Sequence, residues 1–377
     1  MGVDDIGLID HHCHGVVTTD LDQPAFEGLI TESFDPAPRG TSHFDQPLGL
    51  SIRRWCAPVL DLDPFADPDR YIARRHELGA DEVGRRFLKE AGLSDLLLDT
   101  GYRSEELRDV AGMRDLSGLP AHEVVRLEAV AESVARSGIE AGAYPDAFAE
   151  ALSDASSDAV GFKTIVAYRG GFEFDPSRPS REEVVRAAAP FVEHASSGGR
   201  LADSVLIRHG IWTGVDIARE RGFPIQFHVG WGDADLTLHQ TNPTLLTDLI
   251  RALVPLDVPI TLLHCYPFHR EAAYLAAMFS NVYFDVGSAL HYQGASSVQL
   301  LSEALEVTPF TKFLFSTDAF GVAEQYYLGS MLFRRGLREI FDRWIAAGDC
   351  NAGEADRIAE LIGRENARRI YPLDGRK

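Results

Sequence analysis

The sequence predicts a single-domain (β/α)8 TIM barrel, and three observations carry that prediction. Short apolar runs rich in β-branched residues recur along the chain, each followed by a stretch with helical periodicity, which is the pattern of consecutive βα units around a parallel sheet. Eight such runs are present, and eight units favour a closed barrel over an open doubly wound sheet, where about five or six are usual. Polar residues end the runs, His12, His14, His228 and His264 among them, at the strand ends where such a barrel gathers its reactive groups.

The runs span residues 7–14, 95–101, 123–128, 160–168, 224–229, 259–264, 282–286 and 312–317. Between the first two lie some eighty residues, too many for a simple βα connection. They include the Pro/Gly-rich stretch 34–40 and helical stretches at 48–60 and 81–91, so residues 15–93 are expected to form a helical insertion that caps the barrel mouth within one domain spanning 1–377. Helical periodicity returns at 127–152, 181–194, 202–221, 242–253, 269–278 and 323–347. The length fits a barrel carrying an insertion, because barrels commonly run past ~250 residues as one unit.

Composition narrows the function classes. With 36 Lys+Arg against 57 Asp+Glu, the net charge of −21 repels phosphate backbones and anionic lipid, which argues against nucleic acid and membrane surfaces as partners. Apolar residues make up 45% and charged residues 25%, the usage of an ordinary globular protein with a large core. No window approaches the ~20 apolar residues of a membrane helix, and the first ten residues lack the basic and apolar stretches of a leader, so a cytoplasmic location is expected. Cys13, Cys56, Cys265 and Cys350 have no paired spacing and are expected to be free thiols.

The run ending in His11-His12-Cys13-His14-Gly15 carries the strongest chemical signal. Side chains two apart on a strand share a face, so His12 and His14 can present ring nitrogens to one ion, with His11 and Cys13 pointing the other way. His228 and His264 end the fifth and sixth runs. Asp318 follows the last run, where a carboxylate serves as metal ligand or as base for a water proton, or alternatively caps the helix beginning near Ala323. Arg126, Tyr168 and Arg169 suggest an anionic substrate, because guanidinium groups fork onto carboxylates, with an internal Arg126–Glu128 ion pair as the competing reading. Asp233 and Asp235 read as loop turn residues, while Trp55, Trp231 and Tyr266 are candidates to wall the pocket.

Taken together, these motifs resemble the amidohydrolase superfamily, in particular its amidohydrolase-related branch of mononuclear zinc decarboxylases and hydrolases. Ile9-Asp-His-His-Cys-His14 is similar to that branch's opening motif, and Asn366-Ala-Arg-Arg-Ile-Tyr371 to its closing helix. Arg126-Leu-Glu128, Gly161-Phe-Lys163 with Tyr168-Arg169, Phe227-His-Val-Gly-Trp-Gly-Asp233 and Leu262-Leu-His-Cys-Tyr-Pro267 resemble a subgroup found alone in bacteria or fused to glutamine-synthetase-like domains in fungi and plants. The resemblance implies His12, His14 and His228 as metal ligands, Asp318 as ligand or general base, and His264 as a catalytic or supporting residue. Lys163 stays open between a carboxylated bridge for a second metal and a cation for a substrate carboxylate.

The expected function is hydrolysis of a C–N bond in a small carboxylated amide, with γ-glutamyl amides suggested by the fused relatives, through water activated by one divalent ion, zinc first. Decarboxylation or isomerisation of a small acid on the same site is the alternative, and a catalytically silent binding or scaffold barrel, which predicts missing ligands, is the second. Among partners, the sequence leaves a homo-oligomer open.

Overall fold

The computed structural model describes residues 2–195 and 198–373. Seven parallel strands form one sheet in chain order: β1 (Leu8–Cys13), β2 (Leu93–Asp99), β3 (Ala121–Arg126), β4 (Ala159–Thr164), β5 (Ile225–Val229), β6 (Ile260–His264) and β7 (Val282–Phe284). The third run ends two residues earlier than expected, since Leu127 and Glu128 open the helix Leu127–Arg136. The fourth stops at Thr164 rather than at 168, because Glu128 Oε1 accepts from the Thr164 hydroxyl and the Ile165 amide and turns the chain into a 3-10 segment, Val166–Arg169.

The eighth run departs from its expected form. Residues 312–317 do not form a regular strand, and Phe313 makes only a single bridge to Phe284. The segment 312–321 still bonds to both edges of the sheet: Leu314 N donates to Phe284 O (2.9 Å), Asp318 N to His12 O (3.0 Å) and His14 N to Ala319 O (2.8 Å). The irregularity has a local cause. The buried Asp10 side chain captures the Thr317 amide and hydroxyl, and Asp318 takes a left-handed φ of 51°, so neither residue continues a ladder.

Between β1 and β2 the chain forms short helical pieces across 47–59, then Pro68–Leu78 and Ala80–Ala91; the first of these long helices was not expected. Arg181–His194, His269–Met278 and Ala323–Ala347 have their expected bounds. The stretch 127–152 instead splits into Leu127–Arg136 and Tyr144–Ala155, separated by Gly138 at φ 79°. Asp203 accepts from the Val205 and Leu206 amides and starts Ser204–Arg221 two residues late.

Helices pack on the outer face of the sheet in one large apolar cluster. A second, smaller cluster joins Ile9, Leu97, Val124 and Val160 from β1 to β4 with Leu314 and the ring of Tyr371, which follows the last helix, Asn366–Ile370. All four cysteines are free. Among the described residues no helix is long and apolar enough to cross a membrane.

Candidate metal centre

His12, His14 and Asp318 converge at the ends of β1 and of the segment 312–321, with their ligand atoms all within 4.8 Å of one another. Asp318 Oδ1 lies 3.2 Å from His12 Nε2 and 3.7 Å from His14 Nε2. The far ring nitrogens are committed elsewhere: His12 Nδ1 donates to Gln226 Oε1 (2.9 Å) and His14 Nδ1 to the Asp99 carbonyl (2.9 Å). Each Nε2 therefore turns its lone pair toward the carboxylate. Lone pairs and a carboxylate facing one another in a buried site favour a cation between them, and imidazole, imidazole and carboxylate are a donor set that suits zinc and other first-row ions. The residues fit a divalent metal.

His228 and His264 stand beside this group, their rings 4.6 Å apart. His228 Nε2 is buried and has no hydrogen-bond partner in the protein, as expected of a ligand atom awaiting an ion. It lies outside the tight cluster of three. His264 Nδ1 is 3.2 Å from Asp318 Oδ2 but is not aligned to hydrogen-bond with it. The His264 backbone adopts a left-handed φ of 68°, held there by the Asp285 carboxylate accepting from its amide (3.0 Å).

Electrostatics keep the imidazoles neutral. Burial, then the Lys163 ammonium and neighbouring rings, hold His12 well below the usual histidine range. Burial likewise lowers His228 and His264 strongly and brings His14 down to about 4. Neutral imidazole is the metal-binding form. Burial pushes the Asp318 carboxyl well up, with Lys163 opposing. The capping alternative for Asp318 fails: the helix Ala323–Ala347 begins after Val322 with no side-chain cap.

Lys163, the penultimate residue of β4, reaches into the site, with Nζ 3.2 Å from His12 Nε2. Burial lowers it to about 8, against the pull of Asp99 and Asp318. Arg126 does not pair with Glu128. Its Nε and Nη2 clasp Asp99 across the β2–β3 pairing, at 2.6 Å for the shortest contact, while Glu128 bonds to β4. The reason is the helical turn at Glu128, which removes it from the strand face it was expected to share with Arg126. Glu128 Oε2 remains buried and unpartnered toward the cavity.

Arg169 lines the cavity with spare donors. Its side chain is 7% exposed, its ion-pair contact among the described residues is a long 3.5 Å to Glu132, and Nε and Nη1 have no partner there. Tyr168 packs its ring 4.6 Å from His228, and a Cβ at Gly232 would sit 2.0 Å from the Tyr168 hydroxyl, so only glycine fits there. These residues line one cavity of about 540 Å3 together with Leu29, Thr31 and Glu32 from the 15–93 insertion. Trp231 lines it too, Tyr266 lines an adjoining cavity, and Trp55 lines neither. Asp233 does form a turn, accepting from the Asp235 amide (3.0 Å), and both carboxylates also face the cavity.

Sequence reasoning missed Glu32, Gln226, His11 and Tyr371. Strict alternation puts His11 on the outer side with Cys13, but the β1–β2 register shifts between Asp10 and Cys13, and His11 instead bonds Asp285 (2.9 Å) and Tyr371 (3.0 Å). Gln226 left a signal, as an amide inside an apolar strand two residues before His228. Glu32 lies on an irregular loop and left none.

A family model described as amidohydrolase matches residues 9–373. The chain belongs to the amidohydrolase family. Protein fluG of Emericella nidulans is 33% identical over 224 residues, 57% of this chain, and the match spans only about a quarter (26%) of that relative. A protein of Lactobacillus casei described as a metal-dependent hydrolase superposes with a TM-score of 0.86 at 28% identity, covering 99% of this chain and 96% of that one. The uronate isomerase of Bacillus halodurans shares the fold (TM-score 0.65, 14% identity, 100% and 95% covered). Amidohydrolase membership thus agrees with the opening and closing motifs read from the sequence, and the metal-dependent hydrolase fold with the ligand cluster.

Proposed function

We propose that this amidohydrolase hydrolyses the C–N bond of a small carboxylated amide, using one divalent ion, zinc first, held by His12, His14 and Asp318 with His228 as the fourth ligand. The observation that carries the reading is one cavity holding both the convergent ligand cluster and Arg169 with two unsatisfied donors. In this reading the segment 312–321 serves as the eighth barrel strand and residues 15–93 as the cap over the mouth of one cytoplasmic domain.

A bound ion supplies Lewis acidity and lowers the pKa of water. The protein supplies the rest. Arg169 holds the substrate carboxylate with the Tyr168 hydroxyl as a further donor, while Glu128 Oε2 accepts from a substrate N–H or O–H. Asp318 Oδ2 accepts the proton of the attacking water and returns it to the leaving nitrogen, so that amide and water become acid and amine. The neutral His264 ring, beside that oxygen, donates its one N–H to the developing charge on the carbonyl oxygen. Lys163 acts as a second cation of the anionic pocket.

γ-Glutamyl amides are the substrates to test first, by metal analysis of the purified protein and mass spectrometry of products. A product heavier by one water supports hydrolysis. Loss of carbon dioxide, or a product of unchanged mass from a sugar acid, would replace this reading with the decarboxylase or isomerase one.

A further inference from the structure

Under the ligand cluster, the side-chain amide of Gln226 has two partners on its nitrogen. Nε2 donates to the His11 carbonyl oxygen at 2.8 Å and to the Tyr371 hydroxyl oxygen at 2.9 Å. A backbone carbonyl only accepts, so the atom facing it is the nitrogen and the amide can sit one way round. Its oxygen, Oε1, is left facing His12 Nδ1 at 2.9 Å. Because Oε1 also only accepts, the His12 proton resides on Nδ1, and Nε2 turns its lone pair to the ion.

The contacts continue beyond Gln226. The Tyr371 hydroxyl, having accepted from Gln226, donates to His11 Nδ1 at 3.0 Å, and His11 Nε2 donates to Asp285 Oδ2 at 2.9 Å. The other oxygen of Asp285 takes the His264 and Gly287 amides and the Ser316 hydroxyl, at 3.0, 2.7 and 2.8 Å, so this carboxylate has donors on every side and none to give. Asp285, His11, Tyr371, Gln226 and His12 are all buried, and along the whole chain of contacts the protons run in one direction.

We propose that Tyr371 is a positioning residue for the metal centre: by taking the second amide proton of Gln226, whose orientation the His11 carbonyl sets, it holds in place the amide that commits His12 Nδ1 and frees His12 Nε2 for the ion. The proposal rests on the assignment of His12 as a ligand, not on the reaction or substrate. Outer partners of ligating histidines typically change metal affinity about 10- to 100-fold when removed. Tyr371→Phe keeps the ring that packs with Ile9, Leu97 and Val124 and deletes only the hydroxyl.

The test is Zn2+ affinity by competition with a chromophoric chelator, without substrate, so failure of the C–N hydrolysis reading leaves it intact. Tyr371→Phe is expected to weaken Zn2+ binding about tenfold. In a Gln226→Leu background the same change is expected to have no further effect, because the residue through which Tyr371 acts is gone. Gln226→Met gives a second background of similar size: it offers neither an acceptor to His12 nor a donor to Tyr371, so Zn2+ affinity is again expected to be independent of Tyr371. A hydroxyl with only a packing role would lower the melting temperature of the metal-free protein and leave Zn2+ affinity alone. Parental affinity in Tyr371→Phe, or an equal loss of affinity in all three backgrounds, would overturn the proposal.

Discussion

Replacing Arg169 with alanine tests whether the pocket takes a carboxylate, and the structure sets the size of the effect. Without ligand the guanidinium is poorly served: it is 7% exposed, its ion-pair contact is 3.5 Å long, and burial with the nearby Arg200 lowers its pKa. Glu132 does not depend on it, since its Oε1 also accepts from the Leu201 amide at 2.9 Å. Arg169→Ala therefore removes a buried charge without orphaning a partner, and the melting temperature of the ligand-free protein should stay level or rise. A bound substrate carboxylate would engage Nε or Nη1, and one charge-assisted hydrogen bond contributes about 1.5–3 kcal/mol. If ground and transition states share that contact, KM rises about 10- to 150-fold while kcat is nearly unchanged. The assay is steady-state kinetics on the carboxylated amide and on its methyl ester, with metal content measured in parallel. The ester should barely respond. Equal losses on acid and ester, or loss of metal, would show that Arg169 shapes the pocket and does not bind the anion.

The metal assignment predicts about one tightly bound divalent ion per chain by elemental analysis, and none in the His12→Ala, His14→Ala double variant; two ions falling to one in Lys163→Ala would instead establish a carboxylated lysine bridge. Asp318→Asn should lower kcat about 100-fold or more as its carboxylate stops handling the water proton, and near-parental turnover would remove it from that role. Asp99 is pushed up by burial but held down to about 2 by Arg126. Its folded pKa is below the unfolded value of about 3.9, so its contribution, about 2.5 kcal/mol, is fully present above that value and lost as pH falls through 2, with about half gone by pH 3. Asp99→Asn leaves Arg126 buried without its counter-charge and should cost about 3–5 kcal/mol in urea unfolding at pH 6, a gap that narrows at pH 3; a gap of constant size would assign the loss to something other than the ion pair.

The strand-end histidines and Asp318 were legible because a parallel sheet gathers whatever its strands end on, and the runs themselves stand out by composition. What the sequence hid was pairing across the fold. Asp99 and Arg126 are both visible as strand-end residues, yet only the β2–β3 register shows that they hold each other and that Arg126 is a poorer anion receptor than Arg169. His11 was misplaced because one shift in register overrides alternation. The eighth run has the composition of a strand and loses its regularity to side-chain capture by Asp10, far away in the sequence. Tyr371 reads as the end of a helix, and nothing local says that its hydroxyl reaches a ligand's support.

The hydrogen bonds between β1 and 312–321 are also a seam that stitches the first strand to a segment far along the chain. Its stitches alternate with the ligands: Asp318 donates its amide to the His12 carbonyl, and the His14 amide reaches Ala319. An ion held from both sides would fasten that seam, and by binding only the folded state it would add about 4 kcal/mol at a thousand times its dissociation constant. In the proposed reading, loading the metal and securing that seam are a single thermodynamic event, so a partly synthesised chain that lacks its last sixty residues would have the histidines without Asp318, the far half of the clasp.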